Sequence, residues 1–144
     1  MTRPLLTRID HVGIAVRDLE TSLARYLRDF DIEVLGRERN EEQGVEEVML
    51  RVAEAPGGAS CIQLLEPLRP DSPVGTFLQR RGEGLHHVAY GVVDVAEAMR
   101  GLAANGARLV DTTPRHGFGG SAIAFVHPSS VGGVLTELVQ AATS

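Results

Sequence analysis

The sequence predicts an α+β fold: two tandem βαβββ units whose strands form a concave, partly closed mixed sheet around a cleft. Three observations lead there, namely an internal repeat, short alternating runs rich in β-branched residues, and capping signals ahead of two helical stripes. The repeat comes first. Ile9-Asp10-His11-Val12 aligns with Leu85-His86-His87-Val88 at an offset of 76, and Val16, Asp18 and Leu19 then meet Val92, Asp94 and Val95 without a gap. Leu23 falls on Met99, Glu33-Val34-Leu35 resembles Arg108-Leu109-Val110 at an offset of 75, and Ile62-Gln63-Leu64 matches Thr136-Glu137-Leu138 at an offset of 74. An ordered series with so little drift implies two copies of one unit, residues 8–66 and 84–140, joined by a linker at 67–83, in a single domain spanning 1–144.

Each element has a local reason. Ile9–Val16 alternates and is rich in branched residues, which makes it a strand. Asp18 reads as a helix N-cap, and Leu19, Leu23, Tyr26, Leu27 and Phe30 supply a helical stripe behind it. Strands follow around Glu33–Arg39, Val45–Val52 and Ser60–Leu65. In the linker, Ser72-Pro73 pairs an N-cap with Pro at the first helical position, giving a short helix through Leu78. The second copy opens with a strand at Val88–Val92. Asp94 caps the next helix, with Glu97 as its capping-box partner, Val95, Met99 and Leu102 as its stripe, and Gly106 to end it. Strands are expected around Arg108–Asp111, Ala122–Val126 and Gly133–Val139.

Composition removes several function classes. All 14 basic residues are Arg, so Schiff-base and P-loop lysine chemistry is absent. Cys61 stands alone, so the chain has no internal disulfide and no cysteine-based zinc framework. A net charge of -5 without a basic cluster, together with no Trp, argues against nucleic-acid binding. The Gly-Phe-Gly-Gly run at 117–120 lacks dinucleotide-binding spacing. No stretch is long and apolar enough for a signal-peptide core or a membrane span, so a cytoplasmic protein without membrane partners is expected. Only a few residues at each end look disordered.

Strand parity collects the polar residues. His11, Gly13 and Ala15 share one face of the first strand, and Val12, Ile14 and Val16 the other. His87, Ala89 and Gly91 repeat that division. On the third strand Val48, Leu50 and Val52 mark the core side, leaving Glu47, Met49 and Arg51 on the His side. Gln63 and Cys61 lie opposite Ile62 and Leu64, and Glu137 lies opposite the core residue Leu138. Four potential ligands thus occupy repeat-equivalent places: His11 with His87, and Gln63 with Glu137. Two imidazoles, an amide oxygen and a carboxylate suit one divalent metal ion per chain with positions left for water or substrate. Co, Mn, Zn, Ni and Mg all accept such ligands. His86 shares the parity of Val88 and reads as structural, as do His116 in a Gly-rich turn and His127 before a Pro. Cys61 reads as a small buried hydrophobe and Gln43 as a turn residue. Of the adjacent Glu46 and Glu47, at most one faces the cleft.

These features resemble the vicinal oxygen chelate (glyoxalase) superfamily and, within it, the methylmalonyl-CoA epimerase family. The resemblance covers residues 8–140 and rests on IDHVGIAVRDLE at 9–20, NEEQGVEEVML at 40–50 and LLEPLRPDSPV at 64–74. RRGEGLHHVAY at 80–90, PRHGFGG at 114–120 and HPSSVGGVLTELVQ at 127–140 add to it. It implies the vicinal oxygen chelate fold, metal ligands His11, Gln63, His87 and Glu137, and Glu47 and Glu137 as the acid/base pair. The implied reaction interconverts (R)- and (S)-methylmalonyl-CoA by C2 proton abstraction, a metal-stabilised enolate and reprotonation on the opposite face. Ser129, Thr76 and Asp31 depart from family patterns that often carry Lys, Lys and Gly there. Arg115, Arg80 and Arg81 remain as candidate contacts for the CoA phosphates.

Other readings of the same cleft are a related acyl-CoA epimerase, for instance on ethylmalonyl-CoA, a glyoxalase-type isomerase, or a metal-free protein that sequesters a small antibiotic. An extradiol-type dioxygenase normally uses two His and one Glu, which would leave Gln63 superfluous. Retention of all four polar ligands argues against the metal-free binder. Open sheet edges, like the resemblance, point to a homodimer.

Overall fold

The computed structural model describes residues 6–143; the terminal residues expected to be disordered lie largely outside that range. Eight strands and three α-helices are present among the described residues. The strands are β1 (Leu6–Ala15), β2 (Ile32–Asn40), β3 (Val45–Val52), β4 (Cys61–Pro67), β5 (Gly84–Val92), β6 (Arg115–His116), β7 (Ala122–Val126) and β8 (Thr136–Gln140). The helices are α1 (Leu19–Asp29), α2 (Pro73–Arg81) and α3 (Val95–Ala104). No helix among the described residues is long and apolar enough to cross a membrane.

The chain folds as two compact units, residues 11–86 and, among the described residues, 6–10 with 87–143. In the first, the strand order is β2-β3-β4-β1. β1 runs parallel to β4 with His11 beside Cys61 and Gly13 beside Gln63, while β2 and β4 flank β3 antiparallel. In the second, the order is β5-β8-β7-β6, with β5 and β8 parallel and the remaining pairs antiparallel. The start of β1 crosses Gly91 closely: a Cβ there would lie 2.8 Å from Thr7 Oγ1, so a larger residue would force that side chain aside.

The helices start as their capping residues dictate. Asp18 accepts a hydrogen bond from Thr21 N at 2.9 Å, and Asp94 accepts one from Glu97 N at 3.0 Å. Both caps hold nearly the same backbone conformation, φ/ψ of -136/109° and -138/109°. A second tie is also duplicated. The first helical amide of α1, at Leu19, donates to Glu66 Oε1, and that of α3, at Val95, donates to Gln140 Oε1, both at 2.9 Å. Ser72 caps α2 by accepting from Gly75 N, and α2 runs three residues past the expected Leu78.

The apolar faces meet as parity predicts. Val48, Leu50 and Leu64 pack with Val16 and Leu19 beneath α1, joined by Ile14, Leu23 and Tyr26. Leu138, Ala124 and Val126 pack with Val95, Ala98 and Met99 beneath α3. The His side of β1 is covered at its far end, where Ala15, Val45 and Leu65 form a small core with Val74 and Leu78 of α2. Three expectations change. Leu27 and Phe30 are 47% and 60% exposed, because Phe30 lies beyond the last turn of α1 in extended backbone and Leu27 on the helix flank. Val52 at the end of β3 is 55% exposed. No full strand forms at Arg108–Asp111: Leu109 makes a single bridge to Val126, and β6 forms later, at Arg115–His116.

His86 packs edge-to-face on Phe77 of α2, ring centroids 5.0 Å apart. Burial pushes its imidazole down to about 4. The neutral ring is favoured in the folded protein, so its contribution to stability is complete above the unfolded value near 6.5. That contribution is lost as pH falls from there toward 4. We expect His86→Gln, which cannot titrate, to lose less stability than the parent between pH 7 and 4, by up to about 3 kcal/mol. Urea unfolding at several pH values checks this; parallel acid limbs would refute it.

Candidate functional site

The residue pattern places chemistry on one face of each unit's sheet. In the unit of residues 11–86, His11, Glu47 and Gln63 are all buried, 3%, 5% and 4% exposed. Gln63 Nε2 donates to Glu47 Oε2 at 3.1 Å. That contact orients the amide: its NH2 end faces the carboxylate, so its oxygen is the end left for a cation. The turn before β3 brings Glu47 here. Gln43 N is held by Asn40 Oδ1 at 3.0 Å, and Gly44 takes φ of +71°, a conformation suited to glycine. The neighbouring Glu46 points to the other face and pairs with Arg37, which also reaches Glu20 of α1.

In the other unit, His87 on β5 and Glu137 on β8 are 4% and 5% exposed. His87 Nε2 lies 3.8 Å from Glu137 Oε1. Ligands of one divalent ion, each about 2.1 Å from it, stand roughly 3.0–3.4 Å apart, so a small side-chain adjustment would let these two share an ion. His87 and Glu137, both buried and of ligating type, are the candidate metal ligands of this unit, and His11 is a buried imidazole of the other. Gln63 carries only an amide oxygen, a weaker donor than a carboxylate, and suits a hard or borderline cation.

Other sequence candidates lie elsewhere. Arg80 and Arg81 are exposed in the last turn of α2, and the Arg81 guanidinium lies over the Phe77 ring at 5.9 Å. Arg115 on β6 is half-buried with Asp111, NH1 to Oδ1 at 3.4 Å. His127 caps a short 3-10 turn by accepting from Ser129 N at 3.0 Å, and His116 is exposed. Cys61 is half-buried rather than fully buried, because it opens β4 beside the loop at 53–60.

Sequence reasoning missed Phe125. Its ring stands edge-on to the His87 imidazole, centroids 5.8 Å apart and planes at 90°, and it lies opposite Glu137 in the β7–β8 register. Parity on β7 was the available signal, since Ile123 and Phe125 alternate with Ala124 of the α3 core.

The chain belongs to the glyoxalase/bleomycin resistance protein/dioxygenase superfamily, whose pattern matches residues 10–125. Within that class several of its relatives are epimerases. It is 33% identical to the ethylmalonyl-CoA/methylmalonyl-CoA epimerase of Cereibacter sphaeroides, over 94% of this chain and 99% of the relative. It superposes on methylmalonyl-CoA epimerase from Mycobacterium tuberculosis with a TM-score of 0.91 at 40% identity, covering 99% and 93% of the two chains. A methylmalonyl-CoA epimerase in complex with methylmalonyl-CoA and NH4+ matches equally well, TM-score 0.91 at 48% identity, covering 96% of each chain. The fold is therefore that of the glyoxalase superfamily, as the resemblance implied.

Proposed function

We propose that this protein is a metal-dependent epimerase that interconverts (R)- and (S)-methylmalonyl-CoA, built as one domain of two βαβββ repeats. The observation that carries the reading is the buried Gln63–Glu47 contact in one repeat and the buried His87–Glu137 pair in the other. Substrate-bound relatives at 48% identity support the choice of acyl-CoA. His11, Gln63, His87 and Glu137 would hold the ion. When bound, it supplies positive charge beside the thioester and carboxylate oxygens, lowering the barrier to removing the C2 proton by several kcal/mol.

The chain's own residues do the rest. Glu47, aligned by the Gln63 amide, takes the C2 proton of one epimer as general base. Glu137, from the other repeat, holds the proton delivered to the opposite side, and the roles exchange for the other epimer. Burial of both carboxyl groups keeps water from competing for the proton. Arg115, Arg80 and Arg81 are the side chains available to the CoA phosphates.

The reading also makes the protein a cytoplasmic homodimer. A sequence with one cysteine, and so no internal disulfide, fits a reducing compartment, and exposed Val34 and Leu35 on edge strand β2 fit a partner surface. Incubation with methylmalonyl-CoA in deuterium oxide tests the activity. The expected result is deuterium entry at C2 well above the uncatalysed rate, lost on chelation and restored by cobalt. Background exchange with cobalt verifiably bound would overturn it.

A further inference from the structure

We propose that Asp111 is a positioning residue for the His87–Glu137 pair, acting through Phe125; the inference rests on the metal reading above. The outer edge of β7 is only partly paired. Leu109 bridges Val126, Arg115–His116 pairs with Ala122–Ile123, and the chain between them leaves the sheet at Thr112-Thr113-Pro114. The Phe125 amide faces that gap. A strand would fill it with a carbonyl. Here the Asp111 carboxylate does so, Oδ2 accepting from Phe125 N at 2.7 Å, while Val110 N donates to Phe125 O at 2.9 Å. The Asp111 side chain is only 8% exposed, a costly place for a carboxylate that has no partners. Arg115 NH1, 3.4 Å from the other oxygen, supplies the countercharge.

Because both polar backbone groups of Phe125 point outward, Phe125 and Glu137 form a non-hydrogen-bonded pair across β7 and β8, the arrangement in which facing side chains stand closest. The Phe125 ring is thereby set beside Glu137 and edge-on to His87. Asp111 fixes the strand that carries this ring. It touches neither His87 nor Glu137 in any contact described, and acts on them through Phe125. Such outer contacts commonly change metal affinity by about 10- to 100-fold.

The test is titration of the full metal-free chain with cobalt alone, read by calorimetry and by the visible absorption of bound cobalt. Asp111→Ala and Phe125→Leu are each expected to weaken cobalt binding about tenfold and to alter the absorption envelope. Asp111→Asn keeps an acceptor for the Phe125 amide and is expected to stay within about twofold of the parent. Unchanged affinity and spectrum in Asp111→Ala would overturn the proposal. If Asp111→Ala does not fold, Phe125→Leu decides: weakened binding upholds it, and unchanged binding overturns it. A parent chain that binds no cobalt would overturn the metal reading and this inference together, whereas a parent that binds and variants that match it would sink this inference alone.

Discussion

Glu47→Gln is expected to reduce C2 deuterium exchange by about 10³, within the 10²- to 10⁴-fold range of general base catalysis. The change is nearly isosteric. Gln63 Nε2 can still donate to the new amide oxygen, so the 3.1 Å contact and the buried packing of β3 survive. What disappears is the ability to take a proton. Cobalt affinity should fall by no more than a few-fold, because Glu47 is not among the four ligands. Loss of exchange with metal binding retained separates a base from a structural carboxylate. Full activity in Glu47→Gln would show that the proton moves by another route.

Glu137→Gln has the larger reach, since this residue is assigned both a ligand and an acid/base role. The amide keeps an oxygen donor but loses the negative charge opposite the ion, so cobalt affinity should drop more than tenfold and exchange should fall to background. Unfolding offers an independent readout. Cobalt at a hundredfold excess over its dissociation constant stabilises a folded chain by about 2.7 kcal/mol, and at about 2–4 °C per kcal/mol for this size the melting temperature should rise roughly 5–10 °C. At that cobalt concentration the rise should be nearly full in the parent and in Glu47→Gln, and half or less in Glu137→Gln. Equal rises in all three would remove Glu137 from the ligand set.

Much of this was legible in the chain. Asp18 and Asp94 announce α1 and α3 because a helix start is a local event, decided by one side chain and the amides that follow it. Period-two alternation assigned His11, Glu47, Gln63, His87 and Glu137 to one class of sheet face, and all five are buried polar residues in the structure. The resemblance named the superfamily that the comparisons show. What escaped was decided by distant partners. Arg108-Leu109-Val110-Asp111 has the composition of a strand, but Pro114 offers no amide and the Asp111 side chain takes the ladder position, so pairing stops after one bridge. Phe125 was passed over because its contact with His87 joins residues 38 positions apart. Glu66 and Gln140 carried no local signal, since each serves a helix 45 or more residues earlier.

Those last two residues have a consequence for motion. Glu66 follows Gln63 by three positions and Gln140 follows Glu137 by three, so in each repeat the strand bearing a candidate ligand is latched to the opening amide of its own helix. A strand cannot slip by a register step without unlatching a helix start, and a helix cannot fray from that end without freeing the strand. Each pair should therefore open as one cooperative unit, with the Leu19 amide exchanging hydrogen in step with the end of β4 and the Val95 amide in step with β8. Because the latch occurs once per repeat, the two halves carry the same mechanical safeguard on residues of different charge, Glu in one and Gln in the other.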